Sequence, residues 1–143
     1  MRQEILDYLK TQRVGVLALE MMDGSPHGAT VHFAHNENPL IFYFETNREY
    51  RKSEALFGRE KTRATFVVGV DEKIPKTMQL DGVVELLKPE EMATFTAVYL
   101  SKFPEKNKKV EDPKKVLFKF TPTWWRFSDW TKPKGKAIIT SQN

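Results

Sequence analysis

Five consecutive apolar residues, Leu40-Ile41-Phe42-Tyr43-Phe44, stand directly before a charged segment with helical spacing that runs to Leu56. An apolar run that does not alternate belongs to a strand covered on both faces. Thr46 followed three residues later by Glu49 has the pattern of a capping box, which places a helix start at about Asn47. Arg48, Arg51 and Lys52 then fall in the first turn and a half. The macrodipole makes a helix N-terminus positive, so cations gathered there point to an anion such as a phosphate. A plain cap beside three solvated cations explains the same residues, and these positions alone leave both readings open.

The remaining pattern is that of a small β domain. Segments 13–19, 29–35, 40–44, 62–70, 76–87 and 116–130 predict six strands, punctuated by turn signals such as Asp23-Gly24, Ser25-Pro26 and Asn38-Pro39. Helices are predicted over residues 2–11, after the third strand, and from Pro89 onward. Gly82 inside the fifth strand predicts a bulge or a barrel corner. Residues 103–115 read as a polar loop. Residues 131–143 read as a loose tail in which Ala137-Ile138-Ile139 is a candidate for docking. The expected fold is mainly β with flanking helices, a six-stranded antiparallel Greek-key barrel filling residues 1–143 as one domain. A barrel covers only the inner face of the strand at Leu40–Phe44, so a second subunit is expected to cover the other.

Several chemistries are excluded. There is no Cys, hence no disulfide and no thiolate. The N-terminus is charged throughout and no apolar run is long enough to cross a bilayer, so a cytoplasmic location without membrane contact is expected. The net charge of +4 suits anionic small molecules better than dedicated nucleic-acid binding. His32 and His35, on opposite faces of one strand and roughly 10 Å apart, do not make a shared zinc site, so no metal is expected. No nucleophile motif, P-loop or dinucleotide fingerprint occurs, which leaves redox chemistry to a cofactor. The run Trp124-Trp125-Arg126-Phe127 reads either as barrel-end filling or as a surface that stacks on a flat ring.

Taken in order, these residues resemble the pyridoxamine 5′-phosphate oxidase-like family of FMN-binding split β-barrels over roughly residues 5–130. The match is most specific at the apolar strand ending in Glu45-Thr46-Asn47, followed by Arg51-Lys52 before a helix. In that family the threonine and the Arg-Lys pair hold the FMN phosphate, so the resemblance implies a split barrel with Glu45, Thr46, Arg51 and Lys52 around that phosphate. It also implies that the backbone of Thr30, Val31, His32 and Phe33 runs along the flavin. Thr77 and Gln79 would offer polar side chains to the ring, and Trp124 or Trp125 of a second subunit would shield it. The implied assembly is a homodimer with FMN at the subunit interface, an oxidoreductase acting on a small redox substrate.

The vitamin B6 reaction itself does not carry over. Thr30 and His35 stand where the full-length oxidase has an Arg and a substrate-binding Lys, and the Arg-x-His ending is absent. Two alternatives remain at this level. One is an oligonucleotide-binding barrel that stacks bases on Trp124 and Trp125 beside Lys106, Lys108 and Lys109. The other is the same split barrel holding haem or a deazaflavin, with His32 or His35 as ligand.

Overall fold

The computed structural model describes residues 1–69, 71–107, 112–135 and 137–142. Val70 of the fourth predicted strand, Lys108 and Lys109 of the lysine-rich loop, and positions 136 and 143 of the tail lie outside the described residues. The elements are α1 (Gln3–Thr11), β1 (Val14–Glu20), β2 (Pro26–His32), β3 (Ala34–Glu37), β4 (Leu40–Asn47), α2 (Arg51–Gly58), β5 (Thr62–Val68), β6 (Lys76–Leu86), α3 (Met92–Lys102), β7 (Lys115–Asp129) and β8 (Ile138–Thr140). Among the described residues no helix is long and apolar enough to cross a membrane.

The strands lie in the order β2-β1-β5-β6-β7-β4-β3, and β8 adds to β7. Every pairing is antiparallel. The two ends of that order, β2 and β3, are consecutive in the chain, so the sheet curls back on itself into the expected barrel. The described residues form eight strands where the sequence predicts six, for two reasons. The predicted second strand breaks at Phe33. Its N–H still donates to the Arg13 carbonyl at the β1 side (3.1 Å), while Ala34 already pairs with Tyr43 of β4. The predicted loose tail is a strand at its centre. β4 pairs only with the lower part of β7, up to Phe120, and β8 takes the upper edge at Arg126–Ser128. An open edge there would leave backbone groups unpaired.

Phe33, Phe42, Phe44, Phe66, Phe118 and Phe120 are fully buried and fill the barrel. Their rings meet edge to face, as Phe42 and Phe66 do at 5.3 Å, or stacked, as Phe44 and Phe118 do at 5.0 Å. The other face of β4 is covered within the same chain. Tyr43 packs on Phe95 of α3 at 5.7 Å, and Phe95 stacks on Tyr99. The expectation that a second subunit covers this face is therefore corrected. The bare face lies elsewhere, on the outside of β1, β5 and β6. There Val16, Ala18, Thr65 and Val67 stay partly or fully exposed, beside a hollow of about 600 Å³ lined by Ala18, Thr65, Gly82 and Val83.

Gly82 marks the expected bulge, with the β6–β7 register shifting between Asp81 and Gly82. A Cβ at Gly82 would lie 2.2 Å from the Thr121 carbonyl oxygen, so only glycine allows this approach.

Candidate functional site

The barrel is open between β2 and β4. β3 pairs with β4 from Glu37↔Leu40 only as far as Ala34↔Tyr43, after which β2 and β4 run on without a ladder. Along a strand, successive residues send their N–H and C=O groups to opposite sides. Phe33 directs its N–H at β1, and Val31 is in register with Gly15, so Val31 and Phe33 spend their backbone groups on β1. The backbone groups of Thr30 and His32 therefore face the opening. The sequence assigned this edge to Thr30 through Phe33 together; the register narrows it to alternate residues. The Val31 and Phe33 side chains point into the core.

Across the opening stand Glu45 and Thr46 at the end of β4, and the first turn of α2. The predicted capping box is not formed. β4 continues to Asn47, held by the pairs Thr46↔Val116 and Asn47↔Lys115, and α2 begins at Arg51 with Tyr50 as its cap. Asn47 makes the turn: its side-chain oxygen accepts the Glu49 N–H at 2.9 Å, and its carbonyl accepts the Ser53 hydroxyl at 2.8 Å. Pairing with β7 outweighs the local cap because it satisfies more backbone groups. Thr46 is thereby released from capping. Its hydroxyl is buried and has no hydrogen-bond partner among the described residues.

Lys52, in the first turn of α2, is 6% exposed and forms no ion pair among the described residues. Its ammonium lies 4.9 Å from the Tyr50 ring centroid. Burial pushes its pKa down, nearby Glu45 opposes this, and Lys115 adds to it. Glu45 is held by Lys115 at 3.2 Å and by Lys106 at 3.7 Å. As an anion bound to lysines, its side chain offers no contact to a phosphate and instead anchors the cations around it. His32 points outward against Phe103, ring centroids 5.6 Å apart. Burial first, then Lys106 and Arg13, lower its pKa, so it is neutral at pH 7. Arg51 is exposed and lies in the field of Asp23, at the β1–β2 turn.

The remaining predicted residues form a second group. On β6 and β7, Gln79 is in register with Arg126, Thr77 with Ser128, and Asp81 with Trp124, all facing outward. Trp125 alternates inward and, partly buried, packs against the core. Around the closed order β2-β1-β5-β6-β7-β4, β6 is three strands from β2 in either direction. Thr30 and Gln79 both point outward, from opposite sides of the barrel. No single planar ligand bridges them within one chain. Sequence reasoning treated Lys106 as loop surface. In the structure Phe103 and Tyr99 enclose it, its amine 4.8 Å from the Phe103 ring centroid, a burial that only α3 and its aromatic spacing hint at. Among the described residues no group of three or more His, Cys, Asp or Glu side chains comes together as a metal site.

The family model described as pyridoxamine 5′-phosphate oxidase matches residues 1–129. Comparison with the curated proteins gave no match. Among solved structures, a haem-binding protein of Mycobacterium smegmatis superposes with a TM-score of 0.75 at 15% identity, covering 99% of this chain. The chain spans only 59% of the length of that protein. A conserved hypothetical protein of Mycobacterium tuberculosis superposes with a TM-score of 0.70 at 21% identity, over 100% of this chain and 95% of the other. A putative pyridoxamine 5′-phosphate oxidase of Listeria innocua gives 0.64 at 22% identity, over 87% and 94%. At these identities the superpositions speak for the split-barrel fold.

Proposed function

The chain belongs to the pyridoxamine 5′-phosphate oxidase family, and from that premise we propose that it is an FMN-binding oxidoreductase whose cofactor lies between two copies of the barrel. One observation carries the phosphate end: where β4 runs out toward α2, the Thr46 hydroxyl is buried and unpartnered among the described residues, and Lys52 in the first turn of α2 is a desolvated cation in no ion pair among them. A buried polar group left unpaired costs about 1–3 kcal/mol. A phosphate at the α2 start gives Lys52 a counter-ion and the Thr46 hydroxyl an acceptor. The backbone edge of Thr30 and His32 fits the polar edge of a flavin ring. When bound, FMN supplies the two-electron chemistry; the protein's part is to bind, orient and shield it.

The two-copy arrangement follows from the opposite placement of the two residue groups. Thr77, Gln79 and Trp124 reach the ring only from a second subunit. The bare apolar face of β1, β5 and β6 is the surface for an isologous contact. The reacting partner is a small redox molecule that enters over the ring.

The test is spectroscopic. FMN added to purified protein should shift its visible band, lose fluorescence and bind one per chain. Lys52→Ala should weaken binding by about tenfold or more, as expected for loss of a charge-assisted contact. Unquenched FMN at millimolar protein would overturn the proposal. The second reading, haem, draws on the haem-binding structural neighbour and on a neutral, outward His32 at the opening. Haem titration giving a Soret band that His32→Ala abolishes would replace the flavin reading.

A further inference from the structure

We propose that Arg126 is the cation facing the pyrimidine edge of the flavin, and that it holds the negative charge this edge gains on reduction; the inference rests on the FMN reading above. Arg126 lies outward on β7, between Gln79 of β6 and Thr140 of β8. Its neighbours Trp125 and Phe127 take the core side. Arg126 is partly buried: its Nε is enclosed and has no hydrogen-bond partner among the described residues. It makes no ion pair among the described residues. Asp81, the acid on the same outward row of β6, is in register with Trp124 instead.

A half-desolvated guanidinium without an anion is already unfavourable. A second subunit closing over this face would desolvate it further. The covered state therefore calls for an anion at this position. The phosphate does not meet the need, because Thr46 and Lys52 hold it in the other half-site. The dimethylbenzene end of the ring has no polar atoms and would leave Gln79 and Arg126 both unpaired. The pyrimidine edge has a carbonyl and an N–H for the Gln79 amide. Hydride uptake adds two electrons and one proton to the ring and leaves one negative charge shared by N1 and C2=O. The planar fork of an arginine suits that pair of atoms.

Sulfite tests the charge without turnover. Its sulfur lone pair adds to N5 of oxidised flavin and puts the same negative charge on N1–C2=O, bleaching the visible band. Titration of FMN-loaded protein should show Arg126→Gln binding sulfite about tenfold or more weaker than the unmodified protein, the size of one charge-assisted contact. The flavin midpoint potential against dithionite should fall in the same variant. Arg126→Lys, which keeps the charge but loses the planar fork, should bind sulfite more tightly than Arg126→Gln and less tightly than the unmodified protein. Unchanged sulfite affinity and potential in a flavin-loaded Arg126→Gln protein would overturn the inference and leave FMN binding standing. Loss of FMN from Arg126→Gln with an unchanged fold would also overturn it, since Arg126 would then serve the oxidised cofactor. Unmodified protein that holds no FMN would remove both readings.

Discussion

Thr46 is an unusual residue to keep in a folded interior. Its hydroxyl is enclosed near the end of β4 and has no hydrogen-bond partner among the described residues. Valine has nearly the same shape and no hydroxyl. Thr46→Val should therefore raise the stability of the ligand-free protein by about 1 kcal/mol, visible as a higher denaturant midpoint. The same change should weaken FMN binding. Opposite signs in the two measurements identify a residue kept for a ligand. A loss of stability in Thr46→Val would show that the hydroxyl already has a use within the protein.

His35 poses a different residue-scale question. Its ring packs against Phe42 in the cleft that Lys102 also lines, and its Nε2 is enclosed without a hydrogen-bond partner among the described residues. Burial, with Lys102 beside it, pushes its pKa from 6.5 down to about 4. Lys10 works in the same direction and Glu37 against it. The unfolded chain takes up the proton first as pH falls, so stability should drop between about pH 6.5 and pH 4 and level off below. After allowance for the ring's residual exposure, the loss is on the order of 2 kcal/mol. Urea unfolding across that range checks it. His35→Phe should remove most of this slope while carboxylate titrations remain, and an unaltered slope in that variant would rule His35 out as its source.

At the scale of elements, β8 shows how a short strand is held. Ile139 is 9% exposed and Ala137 4%, and the Asp129 N–H donates to the Ala137 carbonyl at 2.7 Å. Ile139→Ala should cost about 2 kcal/mol, at the low end for a buried isoleucine because the strand lies at an edge. An unchanged unfolding midpoint would mean that the tail does not dock in solution. In the sequence of residues 131–143 only Ala137-Ile138-Ile139 hints at docking, and it does not name the site, because the partner edge on β7 exists only after β4 has turned away. The same distinction explains what else was legible. The apolar run of β4, the bulge at Gly82 and the six strand segments are written in local pattern. The break at Phe33 and the cap that Thr46 does not form are set by elements distant in sequence. Arg126 was hidden for a plainer reason. In Trp-Trp-Arg-Phe the aromatic residues draw attention, yet alternation turns Trp125 inward and the arginine outward.

At the scale of the whole molecule, the opposite placement of the two residue groups makes a prediction that neither group makes alone. If one flavin is held by Thr46 and Lys52 of one copy and by Gln79 and Arg126 of another, damage to either half should be repairable by an intact half from a different chain. Lys52→Glu and Gln79→Glu proteins should each bind FMN poorly. Unfolded together and refolded as a mixture, they pair at random, so half of the dimers are mixed. Each mixed dimer has one site with both halves intact and one with both damaged. The mixture should thus recover about one quarter of the unmodified binding capacity, with the unmodified affinity. Fluorescence quenching of FMN measures the capacity, and tagged copies confirm that mixed dimers form. Mixed dimers without recovered sites would place both groups of contacts within one chain. The curvature of the barrel argues against that outcome, because two strands lie between β2 and β6 on either path around it.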